Sequence, residues 1–99
     1  MRQTKNESST VVIRSNTVNE DGARYKYNLY MQESGNVASD KLPLYSIGIE
    51  MTDRDGNYTE ARVADVFSDV GKALVFYERL VSNLATPLNL PYILEDEMC

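Results

Sequence analysis

Apolar and polar residues alternate strictly through two stretches of the chain. In the first, Ala23, Tyr25, Tyr27, Leu29 and Met31 fall on one face, and Arg24, Lys26, Asn28, Tyr30 and Gln32 on the other. In the second, Tyr45, Ile47, Ile49 and Met51 oppose Ser46, Gly48, Glu50 and Thr52. A period of two is the mark of a strand with one buried face. Ahead of the first stretch, Thr10, Val11, Val12, Ile13, Thr17 and Val18 supply the β-branched density of another strand. A fourth strand is expected from about residue 58 to 66.

Two similar turn signals, Glu20-Asp21-Gly22 and Arg54-Asp55-Gly56, separate the strands in pairs. Each is read as a three-residue loop with glycine in the left-handed conformation. At the second turn this sets Ile49 opposite Ala61 and Ile47 opposite Val63. At the first it sets Val11 opposite Met31 and Ile13 opposite Leu29. A two-residue Asp21-Gly22 turn would instead place Arg14 beside Leu29 on the apolar face, and an unpaired buried charge is costly. The three-residue loop is therefore preferred. The segment between strands two and three, residues 33–43, has loop composition.

From residue 70 the period changes. Val70, Ala73, Leu74, Tyr77, Leu80, Val81 and Leu84 recur every three or four residues, which predicts a helix with one apolar stripe. Ser68 is the expected N-cap, and Thr86-Pro87 the expected stop. Val75 lies opposite the stripe and Phe76 on its flank. A short terminal helix is predicted from Leu90 to about Glu97, with Asn89 or Leu90 capping, Pro91 in its first turn and Leu90, Ile93 and Leu94 packing. The fold predicted is α+β: a four-stranded antiparallel meander, one amphipathic C-terminal helix on one face, and a short terminal helix. Residues 1–8 are expected to be a flexible tail and 9–99 a single domain, the scale at which one core forms.

Composition narrows the function classes. The 99 residues carry a net charge of −5, from 15 acidic and 10 basic side chains, which disfavours phosphate backbones as partners. No stretch approaches the ~20 apolar residues of a membrane span, and the N-terminus has no secretory pattern. A cytoplasmic protein with no membrane contact is expected. The chain has no histidine, and its one cysteine is Cys99. Without an imidazole to act as base, neither a cysteine nucleophile nor general acid–base catalysis is supported. Asp53, Asp55, Asn57 and Glu60 only superficially follow a calcium-loop pattern, because positions six and twelve are Tyr58 and Ala64. No cofactor and no catalytic or metal site is expected.

Surface chemistry is the remaining signal. Tyr30 falls on the polar sheet face, with Arg14, Arg24 and Lys26 assigned nearby, and tyrosine and arginine favour protein contacts. The same face carries Glu50 and Glu60, which argues against direct nucleic-acid binding. Val75 and Phe76 lie off the main stripe. Glu95, Asp96 and Glu97 form an acidic end at a helix C-terminus, where negative charge is unfavourable. These six residues, Tyr30, Val75, Phe76, Glu95, Asp96 and Glu97, are the candidate partner contacts. They suit a small non-enzymatic protein-binding module with an unidentified protein partner, or a homodimer. The alternative is an acidic inhibitor or mimic that blocks a basic nucleic-acid-binding protein.

The second half of the chain also carries a resemblance. The strand Tyr45-Ser46-Ile47-Gly48-Ile49-Glu50 leads to Val63-Ala64-Asp65-Val66-Phe67-Ser68-Asp69. The helix then ends Leu80-Val81-Ser82-Asn83-Leu84-Ala85-Thr86-Pro87, and a tail follows with Leu90, Ile93, Leu94, Glu95 and Asp96. This resembles a family of short Gram-positive bacterial proteins with a domain of unknown function, from the third strand onward. Phe67 intervenes before Ser68, and Asn89 stands where that family often has histidine, so any role of such a histidine would be missing here. The resemblance implies a fold and a bacterial origin, and no mechanism.

Overall fold

A computed structural model describes residues 10–33 and 43–98 of the chain. The expected tail at 1–8 lies outside the described residues, as does most of the loop expected at 33–43. The elements run β1 (Thr10–Glu20), β2 (Ala23–Glu33), β3 (Pro43–Thr52), β4 (Tyr58–Phe67), α1 (Val70–Ser82) and α2 (Leu90–Met98). The strands pair antiparallel in the order β1-β2-β3-β4, so the α+β meander is as the alternation predicts. Tyr27, Leu29, Ile47 and Ile49 have no exposure, and Ala73, Phe76, Tyr77, Leu80 and Leu90 close over them. One amphipathic sheet face and the helices thus share a single core.

Two buried phenols stitch the layers together. Tyr27 donates to the carbonyl of Ala85 at 2.8 Å, just beyond α1. Tyr77 donates to Asn16 Oδ1 at 2.6 Å, and its hydroxyl lies 3.1 Å from the carbonyl of Tyr27. Burial pushes the pKa of both phenols up from 10 to about 12, because the charged form would lose its water. For Tyr77 the positive charge of Arg14 works in the opposite direction.

The second hairpin follows its expected register. Ile49 faces Ala61 and Ile47 faces Val63. Gly56 sits at φ +88°, and its N–H donates to the Asp53 carbonyl at 2.9 Å. The Asp53 carboxylate also accepts from the backbone N–H of Asn57 and Asp55, and bonds to Asn57 hold its pKa down. Asp53 is thus a turn residue whose carboxylate closes the loop through Asn57 and Asp55.

The first hairpin corrects the three-residue expectation. Glu20 pairs with Ala23, so the turn is the two residues Asp21 and Gly22, at φ 53° and 83°. These paired positive values match the right-handed strand twist. Arg14 then does sit opposite Leu29. Its cost is avoided because β1 is an edge strand and Arg14 remains exposed at the rim, beside Tyr77 and Glu78. A bulge at Ile13 shifts the register, and Val11 meets Met31 as expected. Arg14 therefore lies on the helix side of the sheet and does not accompany Tyr30.

The helix ends also differ. Asp69, not Ser68, caps α1, accepting from the Lys72 N–H at 3.2 Å. The helix stops at Ser82, before the expected Thr86-Pro87. Leu84 takes φ +53°, its N–H bonds the Val81 carbonyl, and the Ala85 N–H bonds the Leu80 carbonyl. This is a Schellman cap with leucine in the place usually held by glycine. The bond from Tyr27 to Ala85 and the half-burial of Leu84 hold that strained conformation. The α2 helix follows the expectation, with Leu90 buried and Ile93 and Leu94 packed on the core.

Candidate functional site

The candidate contacts named from sequence are not one site. Tyr30 lies on the uncovered sheet face, whereas the residues of α1 and α2 lie on the other side of the sheet. Tyr30 packs over Gly48, where an added Cβ would stand 3.5 Å from its ring, and the Arg62 guanidinium stacks 4.3 Å from the ring centroid. Phe76 must be withdrawn as a surface contact. It is 1% exposed and packs on Phe67 with ring centroids 5.4 Å apart. Val75 is 59% exposed. It meets Glu97 across a cleft of about 740 Å³ whose other walls are mixed, with Val66 and Phe67 beside Ser68, Asp69 and Lys72. Glu97 is paired with Arg79. Glu95 and Asp96 are exposed.

The uncovered sheet face is knitted by a belt of side chains across all four strands. Ser15 donates to Asn28 Oδ1 at 2.9 Å, and Asn28 Nδ2 donates to Glu50 at 3.2 Å. Glu50 stands directly opposite Glu60. Like charges in that position repel. The Tyr58 hydroxyl lies between them, 3.2 Å from Glu50 and 2.9 Å from Glu60. These carboxylates hold the phenol proton, raising its pKa well above the usual range, with the Glu60 bond the largest cause. Each shifted group, Tyr27, Tyr58, Tyr77 and Asp53, is thus accounted for by a bond or a burial that serves the fold.

The two sheet edges differ in a way that bears on partners. On β1, the bulge at Ile13 and the charge of Arg14 on the covered face both discourage a further strand. On β4, residues 58–63 pair regularly with β3, and the ladder becomes irregular beyond Val63, where Asp65 adopts φ 54°. No strand lies outside β4 among the described residues. Asp53 N–H donates to the Asn57 carbonyl, so this is a hydrogen-bonded pair. Alternation along the ladder then turns the N–H and C=O of Tyr58, Glu60 and Arg62 outward, away from β3.

Beside this edge runs a groove of about 420 Å³, lined by Thr59, Glu60 and Ala61 of β4 and by Leu88, Tyr92 and Glu95. Pro87 and Pro91 complete it. Leu88 is 77% and Tyr92 71% exposed, more than any other large hydrophobic side chain among the described residues. Pro91, Tyr92 and Glu95 of α2 continue the spacing of Leu88 in the turn just before it, so a second stripe runs beside the one on the core. The reading from sequence missed this stripe. Its spacing was visible, but Leu90, Ile93 and Leu94 account for a helix that packs on one side only.

A family model of unknown function, DUF6514, matches residues 8–99, a span that includes every element described above. The chain belongs to this DUF6514 family. No curated protein and no solved structure matches it. As a DUF6514 member it brings a fold to the family and receives no activity from it. Among the described residues, no helix is long and apolar enough to cross a membrane, and no three acidic or cysteine side chains are grouped to hold a metal ion.

Proposed function

We propose that this DUF6514 protein is a non-enzymatic protein-contact module of the bacterial cytoplasm, and that it docks through the β4 edge and the adjoining Leu88–Tyr92 groove. The observation that carries this reading is the coincidence of an unblocked strand edge with the two most exposed large apolar side chains. Strand edges bind extended segments through backbone hydrogen bonds, and a neighbouring apolar pocket adds selectivity. An apolar patch left in water by a small protein usually marks such a surface. The absence of histidine and the structural origin of each shifted pKa support a role without catalysis.

A second reading, the acidic mimic, draws on Glu60 and Glu95, which line the groove without any lysine or arginine. Glu97 contributes less to it, being paired with Arg79.

One experiment separates the readings. Tagged wild-type chain and the variants L88D, Y92D and E95Q are compared for the proteins they retain from the native host. Docking through the groove predicts that L88D and Y92D each weaken retention at least about tenfold. Their folding stability should shift by no more than about 0.5 kcal/mol, because the side chains are exposed. Loss with E95Q alone favours the acidic mimic. Undiminished retention by L88D and Y92D contradicts the proposed surface.

A further inference from the structure

Resting on the docking surface just proposed, we infer that its occupant is a second copy of this chain, paired antiparallel through β4 about a twofold axis at Ala61. The regular ladder of β4 ends at Val63, and residues 59–63 are centred on Ala61. A twofold axis there sets each of these residues opposite a partner residue within the same segment. Thr59 meets Val63, Glu60 meets Arg62, and Ala61 meets itself.

Three independent features fit this arrangement. The first is backbone parity. Within the ladder the residues whose N–H and C=O point outward are Tyr58, Glu60 and Arg62, and this register pairs Glu60 with Arg62, outward group to outward group. The second is charge. Within one chain Glu60 faces the like charge of Glu50 across the ladder, with the Tyr58 hydroxyl between them. In the pair each Glu60 gains an arginine on its other side, and the contact occurs twice by symmetry. The third is shape. An axis perpendicular to the sheet keeps both helical layers on one side. The small side chains Thr59 and Ala61 then leave space over the seam for Leu88 and Tyr92 from both copies. The β1 edge offers none of this, because its bulge interrupts the ladder at Ile13 and its Arg14 would be repeated on the covered face.

The test is sedimentation velocity on the full chain from ~1 to ~100 μM, a range that brackets weak self-association. The variants are E60R, R62E and the two mixed in equal amounts, each checked for native far-UV circular dichroism. The wild type is expected to shift from monomer to dimer across the range. Each single variant sets like charges opposite each other twice, and should weaken dimerisation at least about tenfold. The mixture restores opposite charges at both contacts and should dimerise at least as well as the wild type. A destabilised variant would not be rescued by its counterpart, so the mixture distinguishes a lost contact from lost folding. A wild type that stays monomeric at ~100 μM overturns the self-pairing. So does a dimer that neither charge reversal disturbs. If the wild type is monomeric while L88D and Y92D still lose a host protein, self-pairing fails and the docking surface stands. If neither charge reversal changes the dimer and L88D and Y92D also retain their host proteins undiminished, both fail together.

Discussion

At the scale of single residues, the phenols of Tyr27 and Tyr77 decide how the two layers meet. Removing the Tyr27 hydroxyl leaves the Ala85 carbonyl without its bond, and Tyr27→Phe should cost about 1–2 kcal/mol in a urea titration. The same groups set a limit in alkali. Their folded pKa is about 12 and their ordinary value 10, so the fold favours the neutral form. Their stabilisation is complete below pH 10 and drains away as the pH rises from 10 to about 12, where the unfolded chain gains by ionising. Thermal melts across this window should fall steeply for the wild type. The fall should be shallower for a Tyr27→Phe, Tyr77→Phe double variant, which has less to lose. Unchanged slopes would show that other tyrosines control the alkaline transition. The sequence placed both tyrosines on the buried faces but could not reveal their bonds, which span 58 positions to Ala85 and 61 to Asn16. It could not foresee the burial of Phe76 either. An edge of the helical stripe becomes core only because Phe67 reaches over from the end of β4.

At the scale of elements, the period of two located β2 and β3, β-branched density and turn register located β1 and β4, and the period near 3.6 located α1. Their boundaries depended on chemistry that the pattern does not carry. The two-residue Asp21-Gly22 turn was rejected on the cost of burying Arg14, and that cost vanishes at an edge strand where water reaches the side chain. The Leu84 cap is invisible in sequence because a β- or γ-branched residue rarely takes a positive φ, and the docked Ala85 and the half-burial of Leu84 that hold it there are tertiary. Glycine positions offer a clean check on this level. Gly71 lies in the first turn of α1, where an added Cβ meets only Asp69 Oδ2, at 3.6 Å. Gly71→Ala should therefore stabilise the protein by about 0.5–1 kcal/mol. Gly56→Ala, forced to φ +88° in the second turn, should destabilise it by about 1 kcal/mol. Denaturation midpoints moving together in the same direction would contradict the assigned conformations.

At the scale of the whole molecule, the meander has two edges and only one of them is blunted. A candidate site built from charges and exposed aromatics scattered Tyr30, Val75 and the acidic end over separate surfaces. The feature that gathers a surface is the relation of β4 to the second stripe of α2, and this appears only when strand order and helix placement are both known. If β4 is the docking edge, its outward amides report on it directly. The decisive measurement is amide hydrogen exchange by NMR on the full chain at low and high concentration. Pairing through β4 predicts that Glu60 and Arg62 amides gain protection at high concentration, while the amides along β1 keep their rates. Protection gained along β1, with Glu60 and Arg62 unchanged, would contradict the account.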